Sequence, residues 1–268
     1  MPILTTLKTM WKKIVPDTVT VRIKRLIVLL KRLRYIPIYY LNNVLFDLRI
    51  ADYKKIPIII NNRNHYTYLK KQIAFFESKG YNNITILDND STYIPLLEYY
   101  KTLPYKIILL NENLGHTALN KCGLYNKVKY GYFVYTDPDI LPVDECPDDF
   151  MKYFLKMLKK NFWVQKAGFS LKIDDLPDCY RNKQKVIGWE KQFWEKEVKQ
   201  GVYFSEIDTT FALHSPGTKS SGLSGYIKHY RTGFPYTARH LPWYEDSDNL
   251  PPDVEFYYKN AKNGINTW

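Results

Sequence analysis

The chain has 268 residues, 45% hydrophobic and 16% aromatic with 24 tyrosines, and a net charge of +12. That length buries the core of one large α/β domain or two small ones. Three scattered cysteines, Cys122, Cys146 and Cys179, form no Cys-x-x-Cys pair, which speaks against a zinc ribbon or a dithiol redox centre and fits a reducing, cytoplasmic setting.

The basic excess is concentrated at the start. Residues 1–34 hold Lys8, Lys12, Lys13, Arg22, Lys24, Arg25, Lys31, Arg32 and Arg34 against the single acid Asp17. A helix over Val21–Arg34 would place Ile23, Leu26, Ile27 and Leu30 on one face and cations on the other. The apolar run "LIVLL" is too short to span a bilayer. A basic amphipathic helix of this kind binds an anionic membrane surface, so a peripheral membrane contact through residues 1–34 is expected. The competing reading packs the apolar face on the rest of the chain with the cations in solvent. Pro16 and Pro37 break the segment, and "YIPIYYLNNVLF" reads as a connecting hydrophobic piece. Residues 1–50 are therefore a basic N-terminal segment, and 51–268 a single domain. Residues 56–268 carry no strong basic excess, so nucleic acid is not an expected partner.

From Ile56 the pattern is regular. Predicted strands at Pro57–Asn61, Ile84–Asp88, Lys106–Leu110 and Tyr132–Thr136 alternate with predicted helices at about Tyr66–Lys79, after Ser91 or Thr92, and at about Thr117–Val128. Leu69, Ile73 and Phe76 keep helical spacing, and Gly80 stops the first helix. This alternation implies βαβ units and a mostly parallel sheet. After Pro142 the pattern changes. "CPDDFMKYFLKMLKK" reads as a helix with Asp148 and Asp149 in its first turn, "WVQKAGFSLKI" as a strand, "NKQKVIGWEKQFWEKEV" as a helix and Ile207–Leu213 as a strand. The tail to Trp268 reads as aromatic and irregular.

Each early strand stops on polar or acidic residues: Asn61, Asn62, Arg63 and Asn64; Asp88 and Asp90; Asn111, Asn113 and Gly115; Asp137 and Asp139. In an open α/β sheet, ligands bind beyond the carboxyl ends of the strands, so the four clusters should meet at one edge. Asp-x-Asp alone is a weak signal, since it also occurs at Asp246/Asp248. What distinguishes Asp137 and Asp139 is the apolar strand that delivers them. Two carboxylates at a buried strand end are costly without a cation or donors. Oxygen ligands of this type suit Mg²⁺ or Mn²⁺ shared with substrate phosphates.

These residues carry a resemblance. "IIINNRN", "LDNDST", "NENLGHTALN" and "YTDPDI", in this order over about residues 56–142, resemble the motifs of nucleotide-sugar glycosyltransferases of the GT-A fold, especially the inverting family 2. The resemblance implies a Rossmann-like α/β catalytic domain with a nucleotide-sugar-binding half (51–142) and an acceptor-binding half (143–268). It implies that Asp88 or Asp90 meets a uracil or thymine base, and that Asn62, Arg63 and Asn113 line the nucleotide pocket. Asp137 would face ribose and metal, and Asp139 would hold Mn²⁺ or Mg²⁺ against the diphosphate of a donor, UDP-sugar being favoured. The acceptor would be a glycan or a lipid-linked molecule.

An inverting transfer also needs a carboxylate base in the second half. Asp208 is the first candidate, with Glu245 and Asp246 as alternatives. Trp243 and Tyr244 form a candidate aromatic platform for an acceptor sugar. His240, beside Pro242 and Trp243, resembles the tail histidine that supplies a third metal ligand in some retaining GT-A enzymes. A nucleotidyltransferase of related fold would want a Gly-rich loop after the first strand, and "NNRNHYTYLKK" has no glycine.

Overall fold

The computed structural model describes residues 22–23, 26–27, 30–218 and 228–260. The rest of the basic segment and the last eight residues lie outside the described residues. The described positions between 22 and 33 are helical, as the sequence pattern implies.

In chain order the helices are α1 (Ile36–Asp47), α2 (Tyr66–Ser78), α3 (Ile94–Thr102), α4 (Ala118–Lys121), α5 (Tyr125–Val128), α6 (Phe150–Lys159), α7 (Lys183–Glu190) and α8 (Pro252–Asn260). The strands are β1 (Ile58–Asn62), β2 (Ile84–Asp88), β3 (Lys106–Leu109), β4 (Phe133–Thr136), β5 (Ile140–Pro142), β6 (Val164–Leu171), β7 (Glu197–Lys199), β8 (Val202–Phe204), β9 (Ala212–His214) and β10 (Lys228–His240). They form one sheet in the order β3-β2-β1-β4-β9-β6-β10-β8-β7, with β5 paired to β10. β1 to β4 run parallel. β6, β7 and β10 share their direction, and β5, β8 and β9 run against it. The result is the α/β architecture with a mostly parallel sheet that the strand–helix alternation implies.

The sheet is covered on both faces, which is why its strands read as apolar runs. Ile58, Ile60, Ile86 and Val134 face a core shared with α2 and α6. Ile59, Leu87, Phe133 and Tyr135 face the opposite way, against α4 and α5. The alternation along β1 is the period-two rule of a strand buried on both sides.

The structure differs from the sequence reading in several places. The predicted helix over Thr117–Val128 is two single-turn pieces, α4 and α5, separated at Gly123, whose φ is +80°. α6 begins at Phe150, so Asp149 precedes the helix as its N-cap residue and neither acid lies in the first turn. The predicted strand Ile207–Leu213 shortens to β9, which starts at Ala212. The tail is not irregular: it holds the thirteen-residue β10 and α8. β10 escapes pattern reading because its register with β6 jumps between Thr232 and Thr237, looping out Gly233–Tyr236 and breaking the alternation.

Residues 32–47 are docked on the domain rather than strung from it. The Arg32 guanidinium is buried, donating through Nε to the Phe162 carbonyl at 3.0 Å and through Nη2 to Ser215 Oγ at 2.8 Å. Burial lowers its pKa to about 10. Tyr39 of α1 donates to the Leu158 carbonyl at 2.7 Å. One of the nine N-terminal cations is thus an internal anchor.

Candidate active site at the carboxyl edge

β1, β2 and β4 end side by side, so Asn61–His65, Asp88–Asp90 and Asp137–Asp139 arrive at one edge. The loop after β2 is tightly bonded. Asp88 is buried; its Oδ2 accepts from Tyr100 Oη at 2.8 Å and its Oδ1 from Ser91 N at 3.0 Å. Asn62 Nδ2 also donates to Tyr100 Oη at 2.8 Å. Asp88 and Asn62 therefore brace the loop, while Asp90, with φ +70°, is the partly exposed acid of the pair. Asn64, also left-handed at φ +61°, accepts from Thr92 N and Tyr93 N and ties the β1 and β2 loops together. Asn113 is exposed and accepts from Gly115 N at 3.0 Å, so it shapes its own turn. That turn is tethered to the site through Asn89, which accepts from Leu114 N at 2.7 Å.

The Asp137–Asp139 turn is fixed from beneath. Gln72, fully buried on α2, donates Nε2 to the carbonyls of Asp137 (2.9 Å) and Ile140 (2.7 Å). The Asp137 amide donates to the Thr209 carbonyl at 3.0 Å, and the side chains of Thr209 and Asn61 hydrogen-bond its carboxylate. Even so, burial first and the charge of Asp139 second push the Asp137 carboxyl well above its usual range. Burial also raises Asp139, but His240 outweighs it by charge and hydrogen bond and holds that carboxyl below its usual range. His240 Nε2 lies 3.3 Å from Asp139 Oδ2. The neighbouring backbone is continuous, with the Leu241 amide donating to the Asp139 carbonyl at 2.8 Å.

Asp139 Oδ1 and His240 Nδ1 are buried and have no hydrogen-bond partner among the described residues. Two carboxylates, one with an orphaned oxygen, and an imidazole make a donor set that fits a divalent cation. Among the described residues no group of three or more His, Cys, Asp and Glu encloses a metal position by itself. An ion here would take its remaining ligands from substrate, as Mg²⁺-type sites usually do.

Around this centre lie residues that the sequence reading did not single out. His65 is buried against Tyr257 of α8, with ring centroids 4.2 Å apart, and burial lowers its pKa. Asp253 of α8 accepts from the amides of Tyr66 and Thr67 and from Thr67 Oγ1, each at 2.8 Å, and so caps α2. Arg63, which the sequence reading did place at the nucleotide pocket, is partly exposed and forms no ion pair among the described residues.

The candidate base Asp208 is exposed, close enough to raise Asp137 by its charge. It does not begin a strand. The 206–208 segment is held by side chains: Lys166 Nζ donates to the carbonyls of Ile207 (3.1 Å) and Asp208 (3.4 Å), and Arg231 Nε to that of Glu206 (2.6 Å). His229 Nδ1 accepts from the Ile207 amide at 3.0 Å. Backbone groups engaged in this way cannot enter a ladder, which is why the predicted strand is shorter. Burial lowers Lys166 to about 8. Arg231 is paired with buried Glu190 of α7. Gly168 admits the start of β9 against β6, since a Cβ there would strike the Phe211 carbonyl. One signal for this cluster was legible: Lys166 is a cation inside the otherwise neutral, wholly buried strand β6.

Of the other sequence candidates, Glu245 is partly exposed and raises Tyr68 and Tyr258 by its charge, both of which also feel Asp139. Asp246 is exposed, and its Oδ1 accepts from Asp248 N at 3.0 Å in a local turn. Trp243 is not an open platform. It is buried, with its ring 4.6 Å from that of His240, because the Leu241–Tyr244 turn folds it into the core as a support for the imidazole. Tyr244 donates to Asp175 Oδ1 at 2.6 Å.

No family model and no curated protein matches this chain. Among solved structures it is similar to glucosyl-3-phosphoglycerate synthase from Mycobacterium tuberculosis in complex with Mn²⁺, uridine-diphosphate-glucose and phosphoglyceric acid, at 12% identity and TM-score 0.37, over 60% of this chain and 56% of that one. The same enzyme with phosphoglyceric acid alone matches at 11% identity and TM-score 0.36 over the same shares. A structure described as a mycobacterial protein matches at 10% identity and TM-score 0.39, over 74% of this chain and 68% of that one. The chain thus spans a little over half the length of the synthase. Identities and scores this low assign no activity to this chain.

Proposed function

We propose that the protein is a metal-dependent glycosyltransferase that moves a sugar from a nucleoside diphosphate sugar, with UDP-sugars favoured, to a glycan or lipid-linked acceptor. The observation that carries this reading is the meeting of Asp137, Asp139 and His240 at the carboxyl edge, with Asp139 Oδ1 left without a partner. When bound there, Mn²⁺ or Mg²⁺ would neutralise the charge that develops on a departing diphosphate. Asp139 and His240 would hold the ion, with Asp137 facing it and the ribose. Arg63, free of ion pairs among the described residues, is suited to a diphosphate oxygen. Asp90 is suited to the base, because both Asp88 oxygens are already engaged.

For the transfer itself, Asp208 would take the proton of the attacking hydroxyl as that oxygen bonds to the anomeric carbon and the diphosphate departs. Its exposure beside the Asp137–Asp139 turn favours this role over Asp246, which is spent in a turn. A second reading is favoured by the 3.3 Å His240–Asp139 contact: a retaining enzyme of the same fold, in which His240 is a metal ligand and the product keeps the donor's anomeric configuration. The related nucleotidyltransferase remains the weaker reading, since the loop after β1 has no glycine.

Calorimetric titration with UDP, with and without Mn²⁺, tests the reading directly. Binding that requires the ion is expected. Binding indifferent to the ion, or absent altogether, would overturn it. A panel of nucleotide sugars then identifies the donor, and the product anomer separates inversion from retention.

A further inference from the structure

α1 is apolar on its outer as well as its inner side. Its polar side chains face the protein: Asn43 Oδ1 accepts from Tyr132 Oη at 2.6 Å, and Asn42 Nδ2 donates to the Tyr130 carbonyl at 2.9 Å. Tyr39 and Phe46 pack inward beside them, but a second apolar stripe faces out. Tyr40, Leu41, Val44 and Leu48 follow helical spacing and are 50–65% exposed, and Ile50 just beyond is 70% exposed. The described helical residues before α1 add Ile23, Leu26, Ile27, Leu30 and Leu33, all exposed. A stripe of this extent on a monomer marks a contact surface.

The charges around the stripe say what covers it. At its amino end stand Arg34, Lys129 and Tyr130. At its carboxyl end a groove of about 920 Å³ is lined by Arg49, Lys152, Lys156, Lys159 and Lys160, with Asp47 and Asp52 as its only acids. Lys159 is paired with Asp47, while Arg49, Lys152, Lys156 and Lys160 form no ion pair among the described residues. A two-fold pairing through this face would bring like charges together. Anionic headgroups would meet both the stripe and its rim, and exposed Tyr40 and Tyr130 have the apolar body and polar tip suited to a membrane interface. No described helix is long and apolar enough to cross a membrane.

We propose that the outer face of α1, with the basic groove beside it, seats the protein on the surface of an anionic lipid bilayer. This goes beyond the transferase reading and does not depend on it. The placement also has a geometric consequence. α1 packs at the amino ends of the parallel strands, against Tyr132 just before β4, while Asp137 and Asp139 follow the carboxyl end of β4. The site therefore lies on the edge away from the lipid. The five residues of β1 alone span about 17 Å, so an acceptor held in the same bilayer must reach past the sheet.

The test uses the full chain with phosphatidylcholine vesicles, with and without phosphatidylglycerol. Co-sedimentation is expected only with the anionic lipid, weakening as salt is raised. The combined variant Leu41→Ser, Val44→Ser and Leu48→Ser should bind at least about tenfold more weakly. Lys152→Gln with Lys156→Gln should lose roughly fivefold per charge. All these positions are exposed, so unchanged circular dichroism and sedimentation coefficient should accompany the loss. Equal binding by wild type and the α1 variant would overturn the proposal, as would no binding by wild type. So would a wild-type dimer that fails to bind vesicles and becomes monomeric in the α1 variant, because a second copy would then be the occupant. Metal-dependent UDP binding, measured on the same samples, reports on the transferase reading separately.

Discussion

In the parallel half of the sheet, site residues ride on the strand ends themselves. Asn61 and Asn62 are the last residues of β1, Asp88 is the last of β2, and Asp137 directly follows β4. The ladder places them, and a few local bonds, such as Tyr100 to Asp88 and Gln72 to the Asp137 carbonyl, adjust them. In the second half, Asp208 stands on a segment without strand pairing, held by Lys166, Arg231 and His229. α8 is likewise tied to the start of α2 through the Asp253 carboxylate. A strand-end edge built on ladders should survive most single side-chain losses. The 206–208 segment, held by buried polar contacts, should not, because each lost partner leaves an unsatisfied buried group.

The largest effect should come from the donor edge. Asp139→Ala is expected to abolish Mn²⁺-dependent UDP binding in calorimetry while the circular dichroism spectrum persists. Retained metal-dependent binding would remove Asp139 from the ion and dissolve the contrast between the halves. Next, Asp208→Asn should leave UDP affinity nearly intact and lower turnover by about 10²–10⁴-fold, the usual effect of losing a positioned base. If turnover collapses instead in Glu245→Gln, the base belongs to the chain before α8.

Lys166 sharpens the contrast through pH. Its pKa falls from 10.5 in the unfolded chain to about 8 in the folded one. Between those values the unfolded state binds more protons, so this group's contribution to stability rises with pH from about 8 toward 10.5; at lower pH the buried charge opposes folding. Loss of that charge should also weaken its hold on the Ile207 and Asp208 carbonyls. We expect turnover to decline on an alkaline limb near pH 8. In Lys166→Met the limb should vanish, with turnover at neutral pH lower by about ten- to a hundredfold and UDP affinity little changed. An identical pH profile in the variant would show that Lys166 does not position the base segment.

The smallest effect is thermal. Asp253→Ala removes a cap from α2 and should cost about 0.5–2 kcal/mol, lowering Tm by roughly 2–4 °C for each kcal/mol. A scanning calorimetry trace superimposable on wild type would show that α8 does not brace the donor side.

Much of the donor edge was legible because backbone pairing follows local pattern. Ile84–Asp88 was readable to the residue, and the first and fourth strands to within one. The convergence of Asn62, Asp88 and Asp137 followed from strand order and direction. Asp88 and Asp90 looked equivalent in sequence; burial and bonds from Tyr100, on a different element, and the Ser91 amide distinguish them by occupying Asp88. The shortened β9 and the long β10 were hidden for related reasons. One segment exchanges ladder bonds for side-chain partners distant in sequence, and the other interrupts its alternation with a bulge.

The sequence by itself determined the parallel α/β core, the polar strand ends and the basic character of the N-terminal region, because these depend on hydrophobic period, turn residues and charge. Only the tertiary structure decided that His240 lies beside Asp139, that Trp243 is a buried support, and that α1 turns Tyr40, Leu41 and Val44 outward. The physical reason is that period in a sequence tells which residues share a face, whereas the direction of that face depends on partners. For α1 those partners are Tyr132, Tyr130 and Leu158, each 88 or more residues from the side chain it meets, whose polar groups draw Asn42, Asn43 and Tyr39 inward.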